Sequence, residues 1–117
     1  MQMKVEDGYK GMKRQRRVND TVEEIRALLR QNDDFRDGTV EGFQLTEKGD
    51  VYIAVEHGPE KTHYYFAFKG ITQFTFDIDI RLHWIGEVTI EESAGGIHAL
   101  FNQVGIDITA SSMTVSE

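Results

Sequence analysis

From Phe74 to Ile90 the chain repeats with a period of two. Phe74, Phe76, Ile78, Ile80, Leu82, Trp84, Val88 and Ile90 share even parity, with Thr75, Asp77, Asp79, Arg81, Glu87 and Thr89 between them. Successive side chains of a strand point to opposite faces, so this alternation describes a sheet with one packed and one solvated face. Seventeen residues exceed an ordinary strand. A bend near Arg81–His83, or a bulge at Gly86, is therefore expected. Trp84 shares parity with Phe76, Ile78 and Val88 and is expected in the core.

The rest of the chain supplies one helix and more strands. Val22, Ile25, Leu28 and Leu29 repeat at helical spacing. Asp20, with Glu23 three residues on, offers an N-cap, and Asn19 is the alternative. The helix should stop near Gln31, where Asn32-Asp33-Asp34 begins a polar turn. Strands are expected at Thr39–Leu45, Val51–His57 and His63–Lys69, with Gly70 ending the third. Loops at Thr46–Asp50 and Gly58–Thr62 join them. Ile97–Asn102 and Ile106–Val115 make a last hairpin around Gln103-Val104-Gly105. No helix is placed to cross between parallel strands, so the sheet should be antiparallel. The expected fold class is α+β: one N-terminal helix packed on a curled antiparallel sheet of about seven strands.

If Gly58–Thr62 closes a hairpin, His57 pairs with His63 and Tyr52 with Phe68. Val51, Ile53, Val55, Tyr65 and Ala67 then share one face, and Tyr52, Ala54, Tyr64, Phe66 and Phe68 the other. Both faces are apolar, so both need covering. A closed or double-layered sheet would do this, and so would a second copy of the chain. Tyr52, Phe66 and Phe68 are therefore candidate interface residues, and a homo-oligomer is expected.

Charge divides the chain in two. Residues 1–17 carry six basic and two acidic side chains, a balance of +4. Residues 18–117 carry seven basic and eighteen acidic, a balance of −11. The first segment is expected to be a basic arm and the second a single domain. Such a body repels nucleic acid and attracts basic partners, although net charge argues solubility first. Asp77, Asp79 and Glu87 are the candidate acidic face, and alternation alone also explains them. Lys13-Arg14-Gln15-Arg16-Arg17 could neutralise phosphates. With only Tyr9 near it the arm has little to stack on bases, so nucleic-acid binding is not expected. There is no cysteine, no stretch of about 20 apolar residues as a membrane helix needs, and no apolar run near the N-terminus. A cytoplasmic protein with no membrane contact is expected.

Chemistry-bearing motifs are scarce. His57 and His63 could face each other across the hairpin with Glu56 or Glu60 nearby, and these are ligand types for zinc-like ions. Their spacing matches no ligand signature, so no metal is expected. Ser93, Ser111 and Ser112 have no recognisable base, and there is no G-x-S-x-G elbow or phosphate-binding glycine pattern. Gly95-Gly96 precedes a strand and so offers no helix N-terminus to a phosphate. Neither a catalytic residue nor a cofactor is expected.

Three stretches carry a resemblance in hydrophobic rhythm: Phe35-Arg36-Asp37-Gly38-Thr39-Val40, Tyr65-Phe66-Ala67-Phe68-Lys69-Gly70-Ile71-Thr72-Gln73-Phe74, and Gly105-Ile106-Asp107-Ile108 with Met113-Thr114-Val115. In these the chain resembles small bacterial immunity proteins of polymorphic toxin systems and related uncharacterised families. The resemblance covers about two-thirds of the chain, without the basic arm. It implies a non-enzymatic protein that binds and masks a toxin. Two other functions fit the residues: a small-molecule-binding domain with its ligand inside the curled sheet, and a weak nucleic-acid binder through the arm.

Overall fold

The computed structural model describes residues 18–77 and 83–117. The basic arm of residues 1–17 lies outside the described residues, as do Asp79 and the middle of the alternating segment. Among the described residues the order is β1 (Val18–Asn19), α1 (Val22–Gln31), a 3-10 turn (Asp33–Phe35), β2 (Thr39–Leu45), β3 (Val51–His57), β4 (Thr62–Phe76), β5 (Val88–Ser93), β6 (Gly96–Phe101) and β7 (Ile106–Ser116). The fold is α+β, with one α-helix on a curled, unclosed antiparallel sheet of seven strands. The strand order is β2-β3-β4-β7-β6-β5, with β1 paired to the end of β7.

α1 begins one residue later than expected. The cap is Thr21, not Asp20 or Asn19. The Glu24 amide donates to Thr21 Oγ1 at 3.1 Å, and Glu24 Oε1 accepts from the Thr21 and Asp20 amides. This is a complete capping box. Ile25 and Leu29 are the buried face of the helix. Beyond it the 3-10 turn carries Phe35 into the core, where its ring meets Tyr64 and Phe66 edge-on.

The β2–β3 hairpin closes as the sequence predicts. Leu45 pairs with Val51, the Thr46 amide donates to the Asp50 carbonyl, and Gly49 takes φ +82°. The β3–β4 hairpin differs by one residue. Thr62 is the first paired residue of β4 and the loop is only Gly58–Lys61, so His57 pairs with Thr62 and Val51 with Phe68. Lys61 takes φ +55°, which lets the chain turn back early. A one-residue slip moves every side chain of a strand to the other face. Phe66 and Phe68 consequently join Val51, Ile53 and Val55 in the core at 0% exposure, and Tyr52 stands on the opposite face. The doubly apolar hairpin is thus replaced by an ordinary two-sided one, and the chain itself covers Phe66 and Phe68.

β4 does not end at Gly70. It continues to Phe76, with a register shift between Ile71 and Gln73 against β7. Gly70, at φ +68°, lies close against Ser111 there. The long β4–β7 pair is the spine of the sheet: β3 flanks the first half of β4, and β6 flanks the first half of β7. The curl carries β2 round until Phe43 meets Phe74 and Phe76, with ring centroids 5.5 and 4.4 Å apart.

The alternation ends at Gly86. Upstream, the Val40 amide donates to the His83 carbonyl and the Ile85 amide to the Gly38 carbonyl, so the segment borders β2. Downstream, the Gly86 amide donates to the Asn102 carbonyl and the Asn102 amide to the Glu87 carbonyl, and the chain passes to β6. Gly86 is a bend outside any strand, so alternation does not carry through it. Ile85 is buried at 1%, Val88 follows it inside, and Trp84 is 47% exposed. Trp84 is therefore a surface residue, contrary to the expectation from parity. The interior of the curl is filled by Phe35, Phe66, Phe68 and Phe101 with the aliphatic side chains around them.

Candidate binding face

Paired residues of antiparallel strands share a face, so the register maps the outer side of the sheet row by row. One row runs Trp84, Thr39, Glu56, His63. The next runs Gly42, Ala54, Tyr65, Ser116, Val18. A third runs Gln44, Tyr52, Ala67, Thr114. Val18 (52% exposed), Tyr52 (36%), Tyr65 (41%) and Trp84 (47%) all stand in these rows. Of the large exposed hydrophobic residues among the described residues, only Leu45, at the mouth of the β2–β3 hairpin, stands elsewhere. Small residues fill the places between: Gly42, Ala54 and Ala67 form a low floor from which the aromatic rings rise.

Carboxylates and histidines are set into this face. β2 has a bulge between Val40 and Gly42, and Glu41 is its extra residue. Such an insertion re-aims a side chain. Glu41 Oε1 lies 2.9 Å from His63 Nδ1. His63 is paired with Glu56, so one imidazole stands between two carboxyl groups, and ligand atoms of all three lie within 4.8 Å of one another. A second pair lies further along the outer side, where His98 Nε2 is 2.6 Å from Asp107 Oδ1 and Glu91 is the cross-strand partner of His98. These histidines are part-exposed.

The residues expected to form sites are dispersed. Tyr52 belongs to the outer face, whereas Phe66 and Phe68 are core. Asp77 is exposed and its amide donates to the Gly105 carbonyl. The carbonyl of half-buried Glu87 accepts from Asn102. Both thus border the β6–β7 turn, away from the aromatic rows. His57 does not face His63. Its ring lies edge-on to Phe35 at 5.2 Å, with Nε2 3.1 Å from the Arg36 carbonyl. That carbonyl requires a donor, so the ring proton sits on Nε2. Nδ1 is buried without a partner.

Sequence reasoning passed over Glu41, Trp84 and Tyr65 as members of one surface. The available signal was the β3–β4 register in which Val51, Ile53, Val55, Tyr64, Phe66 and Phe68 all share one face. That choice separates bulky from small and polar side chains most completely, and it leaves Tyr52, Tyr65, Glu56 and His63 together outside.

No helix among the described residues is long and apolar enough to cross a membrane. Comparison of the chain with known protein families, with curated proteins and with solved structures finds no match.

Proposed function

We propose that this chain is a non-enzymatic protein-binding module whose outer sheet face holds a basic partner. An immunity-type inhibitor of a basic toxin is the class that fits. The single observation behind it is the gathering of Val18, Tyr52, Tyr65 and Trp84 on one face beside Glu41 and Glu56. Tyrosine and tryptophan bring large apolar area and a polar tip, and they dominate binding hot spots. Patches of this kind on a soluble surface mark interaction sites. The −11 balance of residues 18–117 supports a partner of opposite charge, since long-range attraction raises association rates.

The test uses the full chain, immobilised and presented with a displayed peptide library. Selection should enrich basic sequences carrying an apolar anchor. Their association rate should fall steeply with salt, because charges are screened over about 8–10 Å near physiological ionic strength. Trp84→Ala and Tyr52→Ala should each abolish most of the binding. Enrichment without basic residues, or binding indifferent to both substitutions, would refute the proposal. Self-association through the same face is the competing occupant. Light scattering on the free chain distinguishes it, because a dimer dissociated by Trp84→Ala would put a second copy on the face instead.

A further inference from the structure

The geometry points to a divalent transition-metal site of the zinc type on the outer face, with Glu41, Glu56 and His63 as its protein ligands. It shares Glu41 and Glu56 with the partner proposal but does not rest on it, since it concerns the coordination of an ion by three side chains.

Three observations carry it. First, the three ligand atoms lie within 4.8 Å of one another. Zinc–nitrogen and zinc–oxygen bonds of about 2.0–2.2 Å place neighbouring ligands of a tetrahedral ion about 3.4 Å apart, so small rotamer changes suffice. Second, the three come from three adjacent strands: Glu56 and His63 are direct cross-strand partners, and Glu41 is brought in by the bulge. Ligands held on strands are positioned by backbone pairing, which is how precise sites are built. Third, no Lys or Arg among the described residues forms an ion pair with Glu41 or Glu56. Among the described residues the imidazole is the one basic side chain in contact with them. Two carboxylates around one ring make a donor set suited to a cation.

The ligand chemistry selects the ion. An imidazole with carboxylates suits zinc and its first-row neighbours, whereas magnesium and calcium favour oxygen alone. Three protein ligands leave a fourth position for water or for a side chain of a bound protein. His63 Nδ1 now faces Glu41 Oε1 at 2.9 Å, so this nitrogen and this oxygen would turn from each other to the ion.

The experiment is calorimetric titration of the metal-free full chain with zinc chloride at neutral pH. Proton NMR of the histidine rings is recorded in parallel. The expected result is saturable 1:1 binding, with the His63 resonances moving first. His63→Ala, Glu56→Gln and Glu41→Gln should each weaken binding by about tenfold or more, since even outer-shell changes at metal sites cost 10–100-fold. His98→Ala, which removes the other histidine–carboxylate pair, should leave the affinity unchanged. The substituted side chains are part-exposed, and thermal melting confirms that each variant folds. No saturable binding up to 1 mM zinc overturns the site. So does an affinity that survives His63→Ala, or one that falls as much in His98→Ala as in His63→Ala. Cobalt(II) gives an independent reading: absorption bands of a nitrogen–oxygen site should appear in the wild type and vanish in His63→Ala.

Discussion

The rings of Phe35 and Phe66 meet edge-on with their centroids 5.3 Å apart, and both side chains are fully buried. Phe66 also meets Phe101 of β6 edge-on at 5.1 Å. It therefore joins the turn after the helix to both halves of the curled sheet. Phe66→Ala should cost about 3–5 kcal/mol, the range for emptying a well-packed aromatic site. In a domain of this size that lowers the melting temperature by more than about 10 °C. Calorimetric melting checks it, and an unchanged midpoint would mean that Phe66 lies outside the core.

Gly96 opens β6 at φ +148°, a conformation side chains rarely adopt. A Cβ there would also fall inside contact distance of the Ala110 carbonyl on β7. The obstacle is backbone, so it cannot be relieved by a rotamer change. Gly96→Ala should destabilise by about 2–3 kcal/mol, from overpacking together with backbone strain. Gly95→Ala is the control: a Cβ at Gly95 meets nothing within 4 Å, so its effect should stay within about 0.5 kcal/mol. Urea unfolding of the two variants separates them.

The Glu24 carboxyl is held below its usual range by the amides of Asp20 and Thr21. A carboxyl whose folded pKa is depressed contributes stability above its unfolded value, about 4.3, and loses it as the pH falls through the folded value. The melting temperature of the wild type should therefore decline below about pH 5 more steeply than that of Glu24→Gln. Thr21→Ala, which removes the other half of the box, should cost about 1 kcal/mol at neutral pH. Parallel melts from pH 3 to 7 test both statements.

Tyr64 responds at the other end of the scale. Burial raises its phenol above the ordinary value, and the nearby Glu117 adds to the shift. Its hydroxyl donates to Asn32 Oδ1 at 3.1 Å, tying β4 to the end of the helix. A group whose folded pKa is raised contributes fully below its unfolded value, about 10, and that contribution disappears as the pH rises through the folded value. Stability should thus fall as the pH rises above about 10. Tyr64→Phe should start less stable, by about 0.5–1.5 kcal/mol for the lost hydrogen bond, and decline less on the alkaline side. Equal alkaline slopes in the two proteins would contradict the assignment.

Much of the fold is legible in local pattern. The apolar stripe of Val22, Ile25, Leu28 and Leu29 reports the helix, because helical spacing depends only on neighbours in sequence. Thr46–Asp50 reports a hairpin because Gly49 accepts the positive φ that the turn needs. Only the starting point of the helix was displaced, since Asp20 and Thr21 are both good caps and Glu23 and Glu24 both stand three residues beyond one of them. The candidate face was far less legible. Tyr52 was visible as a surface question, but Glu41 reaches His63 only through a bulge, and nothing in Val40-Glu41-Gly42 announces one.

What the sequence determined by itself is periodicity: one helix, then strands that alternate between two faces, with an acidic body and no cysteine. Tertiary structure decided which residues are opposite which. The loop Gly58-Pro59-Glu60-Lys61-Thr62 can close with four residues or five, and local propensity does not distinguish these. Burial does: only the four-residue loop puts Val51, Ile53, Val55, Tyr64, Phe66 and Phe68 on one side, under Phe35 and the helix. The same holds at Gly86, where the chain leaves β2 for β6. Parity persists only along continuous extended backbone, and the bend at Gly86 interrupts it, so Trp84 is exposed although Val88 and Ile90 are buried. Register and partner choice are settled by contacts between residues far apart in the chain, and these exist only once the sheet has curled.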